Sequence, residues 1–187
     1  NTLEYLNESQ SIISDATKNI SEKVVTYEND LLKLNCKKLT ELSNKKAYLY
    51  QLLHTYGFTA WNDVVDLISG QAGKQVFSKT HRLLKDRNFL ILTTNTKNIT
   101  EKGPFLIKET STEISHPINL TIQETSDGIP ENKHQIIINK DLVSYPLSLK
   151  KWHHGDAIYP IGMTGSKKIS QLFKDKKLSL LDKEKIW

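Results

Sequence analysis

The sequence contains one cysteine, Cys36, so an internal disulfide framework and a cysteine-based metal cluster are both excluded within the chain. It has no apolar run near the roughly 18 to 20 residues of a membrane span, and a protein free of the membrane is expected. No signal peptide accompanies its four Asn-x-Ser/Thr triplets, at Asn7, Asn19, Asn98 and Asn119. A reducing cytoplasm is the compartment that fits. Internal repeats and low-complexity tracts are missing. Paired carboxylates and a Ser/His/Asp set at a supporting spacing are missing too, so the residues alone do not predict catalysis. Arginine is scarce: Arg82 and Arg87 are the only two among 26 basic residues.

Positive charge, by contrast, is concentrated. Of the basic residues, Lys150, Lys151, Lys167, Lys168, Lys174, Lys176, Lys177, Lys183 and Lys185 fall between Tyr145 and Trp187 against only four acids, which accounts for the whole net charge of +5. A cationic region of this kind attracts polyanions, with nucleic acid the commonest. A second, smaller patch is formed by Lys74, Lys79, Arg82, Lys85 and Arg87, opposed only by Asp86. The guanidinium fork of Arg82 or Arg87 suits phosphate, and a solvated hairpin with a salt bridge is the equal alternative.

At 187 residues the chain can form one domain or two small ones, and two are preferred. It begins inside a helical pattern without Met, as part of a longer protein would. From Leu6 apolar residues recur at Ile13, Ala16, Ile20, Val24, Tyr27 and Leu31, predicting a long amphipathic helix. Residues 33–42 are ambiguous. A second helix is predicted from about Ser43 or Asn44 to Tyr56, with Ala47, Tyr50 and Leu53 inward, ended by Gly57. Thr59 is placed to cap a third, carrying Trp61, Val64, Val65 and Ile68. After Gly73 the pattern turns to short strands around Asp86-Arg87-Asn88.

A polar linker is expected over residues 93–103, dividing a helical domain, 1–95, from a β-rich domain, 96–187. In the latter, strands are predicted at Phe105–Lys108, Ile118–Gln123, Gln135–Asn139 and Leu147–Leu149. The last helix should run from near Ser166 to about Lys177, with Ile169, Leu172 and Phe173 inward. The class is α+β: a helical subdomain with a short hairpin, then a small mainly antiparallel β domain with a basic C-terminal helix.

Gly162 to Lys168 superficially resembles a phosphate loop, but two residues rather than four separate its glycines, and Ser166 precedes the lysines. The reading that survives is a tight turn feeding a helix N-terminus, where Lys167 and Lys168 could hold a backbone phosphate. His153 and His154, adjacent on an extended chain, point to opposite faces and do not share an ion easily, so no metal site is expected. Gly155-Asp156 reads as a turn with an Asp acceptor. Trp152 and Tyr159 could stack on bases, although the sheet core is the favoured place for both.

Leu147, Leu149, Trp152 and Gly155-Asp156, then Pro160-Ile161-Gly162-Met163, Gly165, Lys167-Lys168, Ser170, Phe173, Asp175 and Lys177, resemble in order and spacing the C-terminal domain of tRNA(Ile)-lysidine synthetase. Gly73-Lys74, Phe77-Ser78 and the stretch from Thr80 to Leu90 are similar to that family's middle region. Together the two segments bracket most of the chain. The resemblance implies a parent ligase that adenylates the wobble cytidine (position 34) of isoleucine tRNA with ATP and Mg, then lets free lysine displace AMP at C2. It also implies that the ATP-pyrophosphatase domain lies N-terminal, in cis, with a Ser-Gly-Gly-x-Asp-Ser loop that this sequence does not contain. The chain would then be the tRNA-docking portion, without catalytic residues or cofactor of its own. Two positions depart from the family: Ala157 stands where a base is frequent, and Ser179 where proline is.

On this reading the tRNA-binding candidates are Lys167, Lys168, Lys174, Lys176 and Lys177, with Lys74, Lys79, Arg82 and Arg87 as a second contact. A homodimer is compatible with the sequence. Two other readings stay open: a basic module that docks on an acidic protein surface without RNA, and an independent enzyme using His81 or His154.

Overall fold

The computed structural model describes residues 2–29, 31–95, 103–126, 128–160, 162 and 164–187. The heart of the expected linker, 96–102, and Ile161 and Met163 of the glycine turn lie outside these. The chain separates into two compact units, residues 1–100 and 101–187, and its helices with antiparallel sheets make it α+β.

The first unit opens with helix α1, Thr2–Val24. The predicted periodicity through Tyr27 and Leu31 does not continue as helix. Val24-Val25-Thr26-Tyr27 is rich in β-branched and aromatic side chains, which favour a pleated backbone, and the chain turns into strand β1, Val25–Glu28. Strand β2, Leu31–Asn35, pairs back on it, Glu28 opposite Leu31, and Asn29 takes the left-handed φ of 51° that this two-residue connection needs. The ambiguous stretch thus holds the end of β2 and a short helix α2, Cys36–Thr40, capped by Asn35 Oδ1 on the Lys38 amide.

Helix α3, Lys45–Leu53, continues as a 3-10 turn to Tyr56, and Gly57, φ 76°, ends it as predicted. Helix α4 is Trp61–Asp66. Thr59 is not its side-chain cap: the N-cap is Ala60, with no side-chain bond, and Thr59 contributes only its carbonyl to the Trp61 amide. Strands β3, Gln75–Phe77, β4, His81–Asp86, and β5, Phe89–Thr94, follow. All five strands form one antiparallel sheet in the order β1-β2-β5-β4-β3.

The predicted helical subdomain is therefore a helix-covered sheet. Alternation along the strands sends Leu34, Leu83, Leu90 and Leu92 to one face, where they pack with Leu39, Leu49, Leu53, Phe58, Val64 and Leu67 of the helical segments. Each such fully buried side chain stabilises the fold by about 1.5–3 kcal/mol relative to exposure.

Among the described residues the second unit shows three two-stranded ladders: β6, Phe105–Ile107, with β9, Leu147–Leu149; β7, Glu113–Ile114, with β8, Leu120–Thr121; and β10, Ala157–Ile158, with β11, Lys167–Lys168. Helices α5, Ile169–Asp175, and α6, Leu180–Lys185, close it. The strand predicted at Gln135–Asn139 is not formed. Its Ile136 and Ile138 are 80% and 59% exposed, and among the described residues no strand bonds to it. An Ile-rich run without a ladder partner has nothing to hold it in a sheet.

Candidate nucleic-acid interface

In the second unit the basic helix is shorter than expected. It begins at Ile169 because Lys167 and Lys168 are held in β11, opposite Ile158 and Ala157. The two lysines thus precede the helix as strand residues, and they part company. Lys167 Nζ lies 2.6 Å from Asp175 Oδ2, bridging the two ends of α5, whereas Lys168 is exposed and has no acidic neighbour among the described residues. Asp175 also accepts from Gln171 Nε2 at 2.8 Å. Those two hydrogen bonds, Lys167 first and Gln171 second, hold its carboxyl below the usual aspartate range.

Lys174, Lys176 and Lys177 are exposed where α5 ends. The end is a Schellman arrangement: the Leu178 amide donates to Phe173 O at 3.0 Å and the Lys177 amide to Lys174 O at 2.9 Å, with Lys177 in the left-handed region at φ 52°. Phe173 is buried beneath it, edge-on to Trp152 at 5.2 Å, so Trp152 belongs to the packing. Tyr159, for which the core was expected, is 82% exposed, because the β10–β11 ladder stops one residue before it.

The His153–Asp156 turn has the expected form. Asp156 Oδ2 accepts from the His153 amide at 2.7 Å, Oδ1 accepts from Lys150 Nζ at 3.0 Å, and Gly155 supplies φ 100°. The His153 amide bond first, and the Lys150 bond second, lower the Asp156 carboxyl below its ordinary value. Among the described residues no group of three His, Cys, Asp or Glu side chains could hold a metal. Nor do these residues fit an ATP–Mg site: the lysines of the glycine turn lie in a strand, one of them tied to Asp175.

A helix that sequence reading missed, α6, is set by Ser179. Its Oγ accepts from the Asp182 amide at 3.1 Å while Asp182 Oδ2 accepts from the Ser179 amide at 3.1 Å, a reciprocal capping box. The Ser-x-x-Asp spacing was the available signal.

In the first unit the second basic patch is divided. Arg82 is only 8% exposed, its Nε donating to Thr93 Oγ1 at 2.9 Å and Nη1 to Gln75 Oε1 at 3.3 Å; it is a structural cross-strand residue and not a free phosphate fork. Lys85 is also buried, at 6%. The remaining members lie at opposite ends of β4. Lys79 sits in the β3–β4 turn, fixed by Ser78, whose Oγ donates to Tyr56 O at 2.7 Å and accepts from the His81 amide. Arg87, φ 47°, sits in the β4–β5 turn, about 20 Å away at strand rise.

Lys74 shares the Arg87 end, since its carbonyl accepts from the Lys85 amide at 2.9 Å. So does Lys37, brought there because the Cys36 amide donates to Asn88 O at 2.8 Å. Lys37, Lys74 and Arg87 are all exposed. Lys37 was hidden in the ambiguous stretch, and only the strand order reveals its neighbours.

Residues 27–96, which run from β1 to the end of β5, match the TilS substrate binding domain, so the first unit is of that class. The chain is 35% identical over 173 residues, 89% of its length, to a tRNA(Ile)-lysidine synthase of Parabacteroides distasonis, and 29% identical over its full length to one of Bacteroides thetaiotaomicron. A tRNA(Ile)-lysidine synthase of Porphyromonas gingivalis is 26% identical over 74% of the chain. By these matches residues 27–96 are assigned to that substrate-binding domain, and the chain as a whole is similar to tRNA(Ile)-lysidine synthases. It spans about two-fifths of the length of these relatives, 39% and 41% of the first two and 34% of the third.

Proposed function

We propose that this chain is the tRNA-recognition portion of a tRNA(Ile)-lysidine synthase, a docking piece whose parent ligates lysine to C2 of the wobble cytidine of isoleucine tRNA in the cytoplasm, using ATP. The observation that carries the reading is the match of residues 27–96 to a substrate-binding domain, in a unit whose exposed cations line one end of its sheet. Residues 1–95 and 96–187 act as two tRNA-docking domains, and the ATP and Mg chemistry resides in a domain joined in cis.

In this reading the grip of the second domain is Lys168, Lys174, Lys176 and Lys177. That of the first is Lys74 and Arg87 with Lys37, while Lys79 makes a separate contact at the far end of the sheet. Lysine and arginine at such positions bind phosphate and fix register without reading sequence. An A-form helix suits this, since its bases are hidden and its backbone is what a protein meets.

The test is binding of unmodified isoleucine tRNA to the chain, by fluorescence anisotropy across a salt series. Log affinity should fall linearly with log salt, as counterions are released. Salt-independent binding, or equal affinity for an acidic protein, would overturn the proposal.

A further inference from the structure

The first unit also carries an open cavity of about 640 Å³ between the start of α3 and α4, lined by Ser43, Lys45, Lys46, Tyr50, Gln51 and Trp61 among others. Its wall is aromatic and its rim cationic. Tyr50 is 45% exposed; its ring stacks on His54 at 5.2 Å and 17°, and Trp61 meets it edge-on at 5.0 Å. Lys46 Nζ donates to the neutral Asn62 Oδ1 at 2.8 Å, and neither Lys45 nor Lys46 has a carboxylate partner among the described residues. None of the lining residues is acidic.

The spacing explains the juxtaposition. Lys46 and Tyr50 are four apart on α3 and share a face, as do Tyr50 and His54 one turn later. The burial of Leu49 and Leu53 turns Tyr50 toward the outside of the unit, and Trp61 opens α4 beside it.

We propose that this cavity is a binding site for one unstacked nucleotide of single-stranded RNA, its base lying on Tyr50 and continuing the His54–Tyr50 stack, its phosphate held by Lys45 and Lys46. The chemistry is that of single-strand binders: an aromatic face for any base and an adjacent ammonium for the backbone. The inference rests on the proposal that the chain binds tRNA. It adds a contact to an unpaired nucleotide, where the lysines already described meet helical backbone.

The experiment follows the three tryptophan indole N–H resonances of the 15N-labelled chain during titration with a short oligoadenylate. Trp61 is assigned from the spectrum of Trp61→Phe. The expected result is a saturable shift of the Trp61 signal, with Trp152 and Trp187 unmoved. Tyr50→Leu should weaken oligoadenylate binding by about 5- to 150-fold, the range of one base–aromatic stack. Tyr50→Phe, which keeps the ring, should bind as the parent does, and thermal unfolding of each variant checks that the fold is intact.

If tRNA binds with the expected salt dependence while Trp61 stays fixed and Tyr50→Leu has no effect, the site is wrong and the docking function stands. If neither tRNA nor oligoadenylate binds, both fall.

Discussion

Lys85 donates its Nζ to Cys36 Sγ at 2.9 Å and to the Ile68 carbonyl at 2.6 Å, all inside the first unit. A lysine that local charge assigned to a surface patch is thus a tie between β4, α2 and the turn after α4. Lys85→Ala should destabilise the unit by about 3 kcal/mol, from the cavity and the orphaned Ile68 carbonyl together. Lys85→Met, which refills the volume, should lose about 1–2 kcal/mol. Denaturant unfolding measures both, and tRNA affinity should be unchanged in Lys85→Met.

The two arginines should behave in opposite ways. Arg87→Gln is expected to lower the slope of log affinity against log salt by about one. Arg82→Gln should leave the slope intact and cost about 1–2 kcal/mol in stability, because its bonds to Thr93 and Gln75 join neighbouring strands. A reversed outcome in the same two assays would exchange their roles.

Among the C-terminal lysines, Lys168→Ala should reduce the salt slope, whereas Lys167→Ala should act first on the helix it bridges. The Lys167–Asp175 pair is partly exposed, and its loss should loosen α5 locally without a large change in global stability. Amide exchange across residues 169–175 would register the second effect, and tRNA titration the first.

Acid should loosen the second unit in a defined direction. Asp156 and Asp175 both titrate below their ordinary value in the fold. The stabilisation they supply is therefore complete above the unfolded aspartate pKa of about 4 and is lost as pH falls through the lower folded values. Circular dichroism of Asp156→Asn from pH 6 downward should show a weaker loss of structure below pH ~4 than the parent.

Ser179→Ala should remove the cap of α6, at a cost of about 1 kcal/mol. Faster amide exchange confined to residues 180–185 is the expected signature. Unchanged exchange there would mean that packing alone holds the helix.

The sequence made some of this legible and hid the rest for physical reasons. Turns with strong chemistry, at Gly57, Arg87-Asn88 and Gly155-Asp156, could be read because one or two residues decide them. Period-four apolar spacing from Leu6 to Val24 located α1, but not its end, since Tyr27 and Leu31 fit a helical stripe and a strand equally well. The five-stranded sheet was out of reach, as the β1–β2 hairpin joins it through β2–β5 pairings 54–60 residues apart in sequence, such as Leu32 with Leu92. Charge was the least faithful guide. Lys85, Arg82 and Lys167 look like surface cations, and each is held by groups that proximity in the chain does not reveal.

One further consequence follows from the way α5 terminates. Lys177 occupies a backbone seat that suits glycine, where a side chain carries a penalty of about 1 kcal/mol. Replacing it with glycine should relieve that backbone strain while removing one ammonium group from the edge proposed to meet RNA. Durability and hold on the ligand pull in opposite directions at that single position.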